Sequence, residues 1–259
     1  MSSEVETSLT VRERSEEPQI TVRDSSTSVG TTVEALDMTK KPFFAKLFVY
    51  RDEVPRSAAI NMAIDEALLE QAIVPTIRFY RWDHPALSFG YFGKFADVAG
   101  YQRDSVRRWT GGGIVLHGDD LTYSLVIPAS DSAFKESSMS IYENVHRAIS
   151  TALMSLGTKT ELASEKSGEI SESCFASPVR ADVLLNGRKI AGAAQRRTHR
   201  GLLQQGSIQD VDLPQDFEQR FVHQLSANFT PSESERPVLD RAEMIAEQKY
   251  AAAAWLQKR

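Results

Sequence analysis

Two adjacent residues, Asn186-Gly187, constrain the fold of this chain more than any other feature. Both tolerate the positive φ of a two-residue hairpin turn, so an Asn-Gly pair between apolar runs marks two antiparallel strands. Runs around 181–186 and 202–208 read as strands accordingly, as do Thr76–Tyr80 and Ala86–Phe89, rich in β-branched and aromatic residues. Residues 114–117 and 121–127 give two more, flanking a turn at Gly118-Asp119-Asp120. Other stretches carry a helical period. Ser57 is placed to cap a helix with Ile60, Ile64, Ala67 and Leu68 on one face. Tyr142, Val145, Ile149 and Leu153 repeat at helical spacing within about 140–156, and Gly157 supplies the stop. From Arg236 to the end, an alanine-rich stretch with Met244, Ile245, Tyr250 and Trp255 predicts a terminal helix. Hairpin strands with interspersed helices predict an α+β fold, a mixed or antiparallel sheet packed with helices, rather than a doubly wound parallel sheet.

Composition divides the chain. Residues 1–40 hold 14 Ser or Thr, 8 Asp or Glu and no aromatic residue. Such a segment buries too little apolar surface to offset the entropy of ordering it, so a disordered tail is expected there and one folded domain over 41–259. The net charge of −5 argues against a nucleic-acid coat protein. The single cysteine excludes an internal disulfide and the Cys-rich zinc sites, and no metal site is expected. No apolar run approaches the roughly 18–20 residues that span a bilayer, and the opening residues lack an apolar signal core. A cytoplasmic protein without membrane or nucleic-acid partners is expected.

Three segments can carry chemistry. Arg107 and Arg108 lead through Trp109-Thr110 into three consecutive glycines, Gly111, Gly112 and Gly113, and on to His117. Glycines before a strand let backbone approach a ligand and leave amide N–H groups to donate, and the arginines can hold a carboxylate or phosphate. A bulged turn is the plainer reading. A Walker loop is excluded, because no Gly-Lys-Ser/Thr follows. The second segment runs from Asn186 to Arg197 and sets Lys189 among small residues, with Gly192 and Gln195 beyond it. From Arg180 to Arg200 there are six Lys or Arg and a single acid, Asp182, which reads either as a solvated hairpin face or as a dock for an acidic partner. The third is Cys174, in a polar loop closed by Pro178. A lone cysteine is commonly an inert buried residue; a nucleophilic one needs cations nearby to hold its thiolate, and Lys189 and His117 are candidates.

Taken together, these segments resemble the lipoate/biotin protein ligase and octanoyltransferase superfamily. The likeness rests on Arg107-Arg108-Trp109-Thr110-Gly111-Gly112-Gly113, Val115 and His117, then Leu121, Tyr123 and Ser124, then Gly187-Arg188-Lys189-Ile190-Ala191-Gly192 with Gln195-Arg196-Arg197. It extends to Asn61-Met62-Ala63-Ile64-Asp65-Glu66-Ala67 and to 201–208, covering roughly residues 45–225. It implies a biotin/lipoate ligase-like catalytic domain. Cys174-Phe175-Ala176-Ser177-Pro178 stands fifteen residues before Lys189, an arrangement similar to octanoyltransferases of the LipM type.

That resemblance implies octanoyl transfer from acyl carrier protein, through a thioester on Cys174, to a lysine of lipoyl domains or of glycine-cleavage H protein. No cofactor is then required, since the donor thioester is already activated. It implies Cys174 and Lys189 as catalytic residues. Arg107, Arg108, Gly111, Gly112, Gly113, His117, Gly192 and Gln195 become substrate-binding candidates, with His117 either a proton shuttle or an oriented structural histidine. Lipoate ligases carry a sizeable C-terminal accessory domain, for which the roughly 35 residues after 225 are too few. The pair Arg196-Arg197 also suits an acyl-adenylate, which leaves an ATP- and Mg-dependent lipoate ligase as the alternative. A non-catalytic carrier-domain binding protein is the third reading.

Overall fold

The structure, a computed structural model, describes residues 42–164, 178–232 and 236–258. The expected tail over 1–40 and the residue Cys174 lie outside the described residues.

Eleven strands and five α-helices are described: β1 (Leu47–Arg51), α1 (Ala58–Gln71), β2 (Thr76–Tyr80), β3 (Ala86–Phe89), β4 (Asp104–Arg107), β5 (Val115–His117), β6 (Leu121–Pro128), α2 (Ser138–Ser155), β7 (Glu161–Leu162), β8 (Val183–Leu185), β9 (Arg188–Arg197), β10 (Gly201–Ile208), α3 (Phe217–Leu225), β11 (Phe229–Ser232), α4 (Arg236–Ile245) and α5 (Ala253–Leu256). The main sheet has eight strands in the order β11-β1-β2-β6-β10-β9-β8-β7. Only β11–β1 and β1–β2 run parallel, so the sheet is mixed, as the α+β expectation requires. A second sheet, β4-β3-β5, stands beside it.

All residues of β2, β6 and β10 are buried, so these strands are covered on both faces. Side chains alternate across a strand. Ile77, Phe79, Leu125, Ile127 and Leu202 pack on one face with Ile141, Val145, Ile149 and Leu153 of α2 and Phe217, Phe221 and Leu225 of α3. The other face receives α1. That helix is sandwiched in turn by α4, which packs Val238, Ala242 and Ile245 against Met62, Ile64 and Ala67.

Several expectations need correction. The strands flanking Gly118-Asp119-Asp120 do not pair with each other: β5 joins β3, while β6 lies between β2 and β10. The turn therefore passes the chain from one sheet to the other. The terminal helix is broken, with α4 followed by a π-helical turn at Ala246–Tyr250 and the short α5. Ser57 stands at the start of α1 with extended backbone, but its hydroxyl makes no capping bond. The hairpin forms as expected, with Asn186 at φ 52° and Gly187 at φ 76° between β8 and β9.

Candidate active site

A mainly apolar cavity of about 170 Å³ opens where the two sheets meet. Met62 of α1 and Tyr80 and Trp82, at and just beyond the end of β2, supply its apolar wall. Gly112, Gly113 and His117 line it from the glycine segment, and Tyr142, Lys189 and Gly192 from the α2 and β9 side. Segments at 110–117 and 187–194, far apart in sequence, thus converge on one space.

The glycine segment is held from beneath. Gly112 takes φ +82°, which only glycine adopts without strain, and a Cβ on Gly90 would stand 2.0 Å from the Gly112 carbonyl oxygen. Arg108 donates to the carbonyls of Gly111 at 3.1 Å and Gly113 at 2.8 Å, and to Ser88 Oγ at 2.6 Å. A guanidinium only donates, so Ser88 Oγ accepts from it and turns its own proton toward His117 Nε2, 2.6 Å away. His117 Nδ1 then carries the ring proton and donates to Asp120 Oδ2 at 2.8 Å. Burial lowers the His117 pKa, and the ring, stacked on Trp82 at 4.0 Å, is neutral at pH 7. Burial also works against the Asp120 charge, but hydrogen bonds from His117, Ser207 and the Gly118 amide outweigh it and hold the carboxyl down at about 2. With both ring nitrogens engaged, His117 orients the cavity wall through Ser88 and Arg108.

Deeper still lies a polar centre that the sequence reading did not single out as a unit. Arg78, fully buried on β2, donates to Asp65 Oδ1 at 2.8 Å, to Asp52 Oδ2 at 2.8 Å and to Asn61 Oδ1 at 2.7 Å. Burial works against its charge; the neighbouring carboxylates outweigh that and raise its pKa. Asp65 also accepts from Ser124 and from Gln205 Nε2, each at 2.7 Å, while Gln205 Oε1 accepts from Thr110 Oγ1 at 2.7 Å. A continuous chain therefore links α1, β2, β6 and β10 to the residue before the glycines. A lone arginine inside the apolar run Thr76–Tyr80 was the available signal.

On the opposite wall, Lys189 Nζ lies 2.9 Å from Asp182 Oδ2, with the lysine side chain 8% exposed and the carboxylate fully buried. Tyr142 donates to Asp182 Oδ1 and accepts from the Ala193 amide. Burial and the Asp182 charge push the Tyr142 hydroxyl far above its ordinary range, so it remains a phenol.

Other expected site residues stand elsewhere. Arg107 turns away from the cavity: it donates to the carbonyls of Tyr91, Gly93, Trp255, Leu256 and Lys258 and ties the C-terminal segment to the loop after β3. Gln195 is spent on Gln204 Oε1 at 2.7 Å, and Gly111 does not line the cavity. Nor is 180–200 one basic face. Arg188 pairs with Asp210, Arg180 with Glu143, Arg200 with Glu70, and Arg196 stacks over Trp109 and Tyr91. Among the described residues no group of three or more His, Cys, Asp or Glu could hold a metal ion. Among them, too, no helix is long and apolar enough to cross a membrane.

Residues 57–247 match the family described as lipoyl protein ligase A/B catalytic domain. Octanoyltransferase LipM of Oceanobacillus iheyensis is 38% identical over 217 residues, covering 78% of this chain and 80% of the relative. Octanoyltransferase LipM of Carboxydothermus hydrogenoformans is 38% identical over 175 residues, covering 62% and 65% respectively. Among solved structures, lipoate-protein ligase A bound with ATP is similar at TM-score 0.63 and 20% identity, over 83% of this chain and 98% of that one. The bipartite lipoate protein ligase of Thermoplasma acidophilum is similar at TM-score 0.61 and 19% identity, over 83% and 96%. These structures share the fold. With a matching family model over most of its length, and a relative 38% identical over 78% of it, this chain belongs to the lipoyl protein ligase A/B catalytic-domain family.

Proposed function

We propose that this protein is an acyltransferase of lipoate biosynthesis that moves an octanoyl group from a carrier thioester to a lysine of a lipoyl domain, without nucleotide. The observation that carries the reading is the 38% identity over 217 residues to an octanoyltransferase. Geometry supports it: a mainly apolar cavity is bounded by Met62, Tyr80 and Trp82, and Lys189 stands at its wall.

In this reading the thiolate of Cys174 attacks the thioester carbonyl. A C–S bond forms, the carbonyl oxygen becomes an oxyanion, and collapse expels the carrier thiolate, which takes a proton. The acceptor lysine, as a free amine, then attacks the acyl-enzyme and loses a proton. The Cys174 thiolate leaves and an amide remains. Lys189 contributes a positive charge and N–H donors beside the reacting carbonyl, and amides of the glycine segment add further donors to the oxyanion. Octanoyl-acyl carrier protein is the proposed donor, and lipoyl domains or glycine-cleavage H protein the acceptors.

The test is transfer itself. Purified protein with octanoyl-acyl carrier protein and an apo lipoyl domain should octanoylate the domain with no ATP or magnesium present. Acylation only from a free acid with ATP, releasing pyrophosphate, would assign a ligase instead. Binding to lipoyl domains with no modification under either set of substrates would assign a silent binder.

A further inference from the structure

We infer that Asp182 is a positioning residue that acts on the reaction through Lys189, an inference that rests on the proposed role of that lysine. The carboxylate is fixed before the lysine reaches it. Residues 179–182 form a turn closed by the Asp182 amide donating to the Val179 carbonyl at 3.0 Å. The Val179 amide donates to Asp182 Oδ2 at 2.7 Å, and Tyr142 donates to Oδ1. Hydrogen bonds from Ala181 N to Ala163 O, 2.7 Å, and from Ala163 N to Asp182 O, 2.9 Å, clamp the turn to the chain after β7. Ala181 holds φ 67° in that turn, a left-handed conformation unfavourable for a residue with a Cβ. The fold retains the strain at the residue that aims Asp182 at Lys189.

The lysine side is equally specified. Its stem crosses directly over Gly192, where a Cβ would meet Lys189 Cε at 2.3 Å and Nζ at 2.5 Å. Gly192 thus leaves the space and Asp182 supplies the charge. A lysine ammonium on four flexible carbons has no rotational preference for one wall of a cavity; a rigid, buried carboxylate 2.9 Å away gives it one. Tyr142 completes the device by donating to Asp182 while its oxygen accepts from the Ala193 amide at 3.1 Å, so β9, α2 and the 179–182 turn share one hydrogen-bonded node. A buried pair of this kind contributes little to net stability, because its desolvation offsets its attraction. Its value is placement of the ammonium beside the acyl carbonyl.

The experiment measures single-turnover acylation by octanoyl-acyl carrier protein, together with steady-state kcat and KM, on Asp182→Ala, Asp182→Asn, Tyr142→Phe, Lys189→Ala and the double variant Asp182→Ala/Lys189→Ala. We expect Asp182→Ala to lower the acylation rate by about 10²-fold with KM within about threefold, the scale of a misplaced catalytic group. Asp182→Asn, which keeps an acceptor oxygen, should recover part of that rate. The double variant should react no more slowly than Lys189→Ala alone. Should Asp182→Ala fail to fold, Asp182→Asn and Tyr142→Phe carry the same comparison, each slower than wild type at unchanged KM. Wild-type acylation in the foldable Asp182 variants, or losses that multiply in the double variant, would overturn the inference. A wild-type rate in Lys189→Ala would instead remove the role given to the lysine, and this inference with it.

Discussion

Substituting Gly192 by alanine moves the Lys189 amine while leaving the backbone undisturbed. Gly192 pairs with Ser207 in the ladder between β9 and β10, and its φ lies outside the left-handed region, so alanine fits the strand. The added Cβ would stand 2.3 Å from Lys189 Cε, whereas carbon atoms in contact prefer about 3.5–4.0 Å. The lysine end must therefore withdraw by about 1 Å or more, away from Asp182 and the cavity wall. Misplacement on that scale costs a catalytic group about 10²-fold in rate, or about 2.7 kcal/mol of barrier. The closest atoms are the far end of a flexible side chain, while Asp182 Oδ1, 3.2 Å from the new Cβ, must give by only a few tenths of an ångström, so the loss of stability should stay within about 1–2 kcal/mol. Stopped-flow acylation with octanoyl-acyl carrier protein reads the rate and thermal denaturation reads the fold. In a Lys189→Ala background the Gly192→Ala substitution should have no further effect on rate. A Gly192→Ala protein that acylates at the wild-type rate with an unchanged melting temperature would refute the reasoning.

Three further outcomes follow from buried polar groups. His146 is fully buried, neither ring nitrogen has a hydrogen-bond partner among the described residues, and burial brings its pKa from 6.5 to about 3. The unfolded chain binds that proton first, so this contribution is complete above about pH 6.5 and falls by up to about 1.4 kcal/mol per pH unit between there and about pH 3, where the folded protein binds the proton too; denaturant titrations of His146→Phe should lack this component. Asp65→Ala leaves Arg78 buried beside a lost partner and should cost about 3–5 kcal/mol in urea unfolding, whereas an exposed-pair loss such as Arg220→Ala should cost under about 1 kcal/mol. Arg107→Ala removes the donors to five main-chain carbonyls and should destabilise by about 3 kcal/mol, with KM for the acyl donor unchanged in steady-state assays at a temperature where the variant is folded.

What could be read in advance was what is decided locally. The Asn186-Gly187 turn follows from two consecutive positive φ angles, a requirement of the residues themselves. Helix α2 follows from a helical apolar period and ends at Gly157, φ 91°, as the sequence signals. Arg107 and Arg108 are alike in sequence and opposite in fate, because strand alternation sends one to the C-terminal segment and the other beneath the glycines. Gln195 lies one residue beyond Ala194, the last cavity-lining position on β9, and its amide is taken up by Gln204 across the ladder. The Asp65–Arg78 centre joins residues whose pairing exists only once α1 lies on the sheet. The break after Ile245 has the same origin: Lys249 and Tyr250, adjacent in sequence, both reach Glu66 Oε2 at 2.6 Å, which the widened π-turn allows. Asp182 was visible as the single acid in a basic stretch, but its burial against Lys189 depends on a turn closed with Ala163.

The central claim, covalent acyl transfer through Cys174 without nucleotide, is tested most directly by the intact mass of the protein after incubation with octanoyl-acyl carrier protein in the absence of ATP. The account predicts one octanoyl adduct, mapped by peptide sequencing to Cys174, absent from Cys174→Ala and discharged when an apo lipoyl domain is added. No adduct on the wild-type protein, or an undiminished adduct on Cys174→Ala, would contradict it.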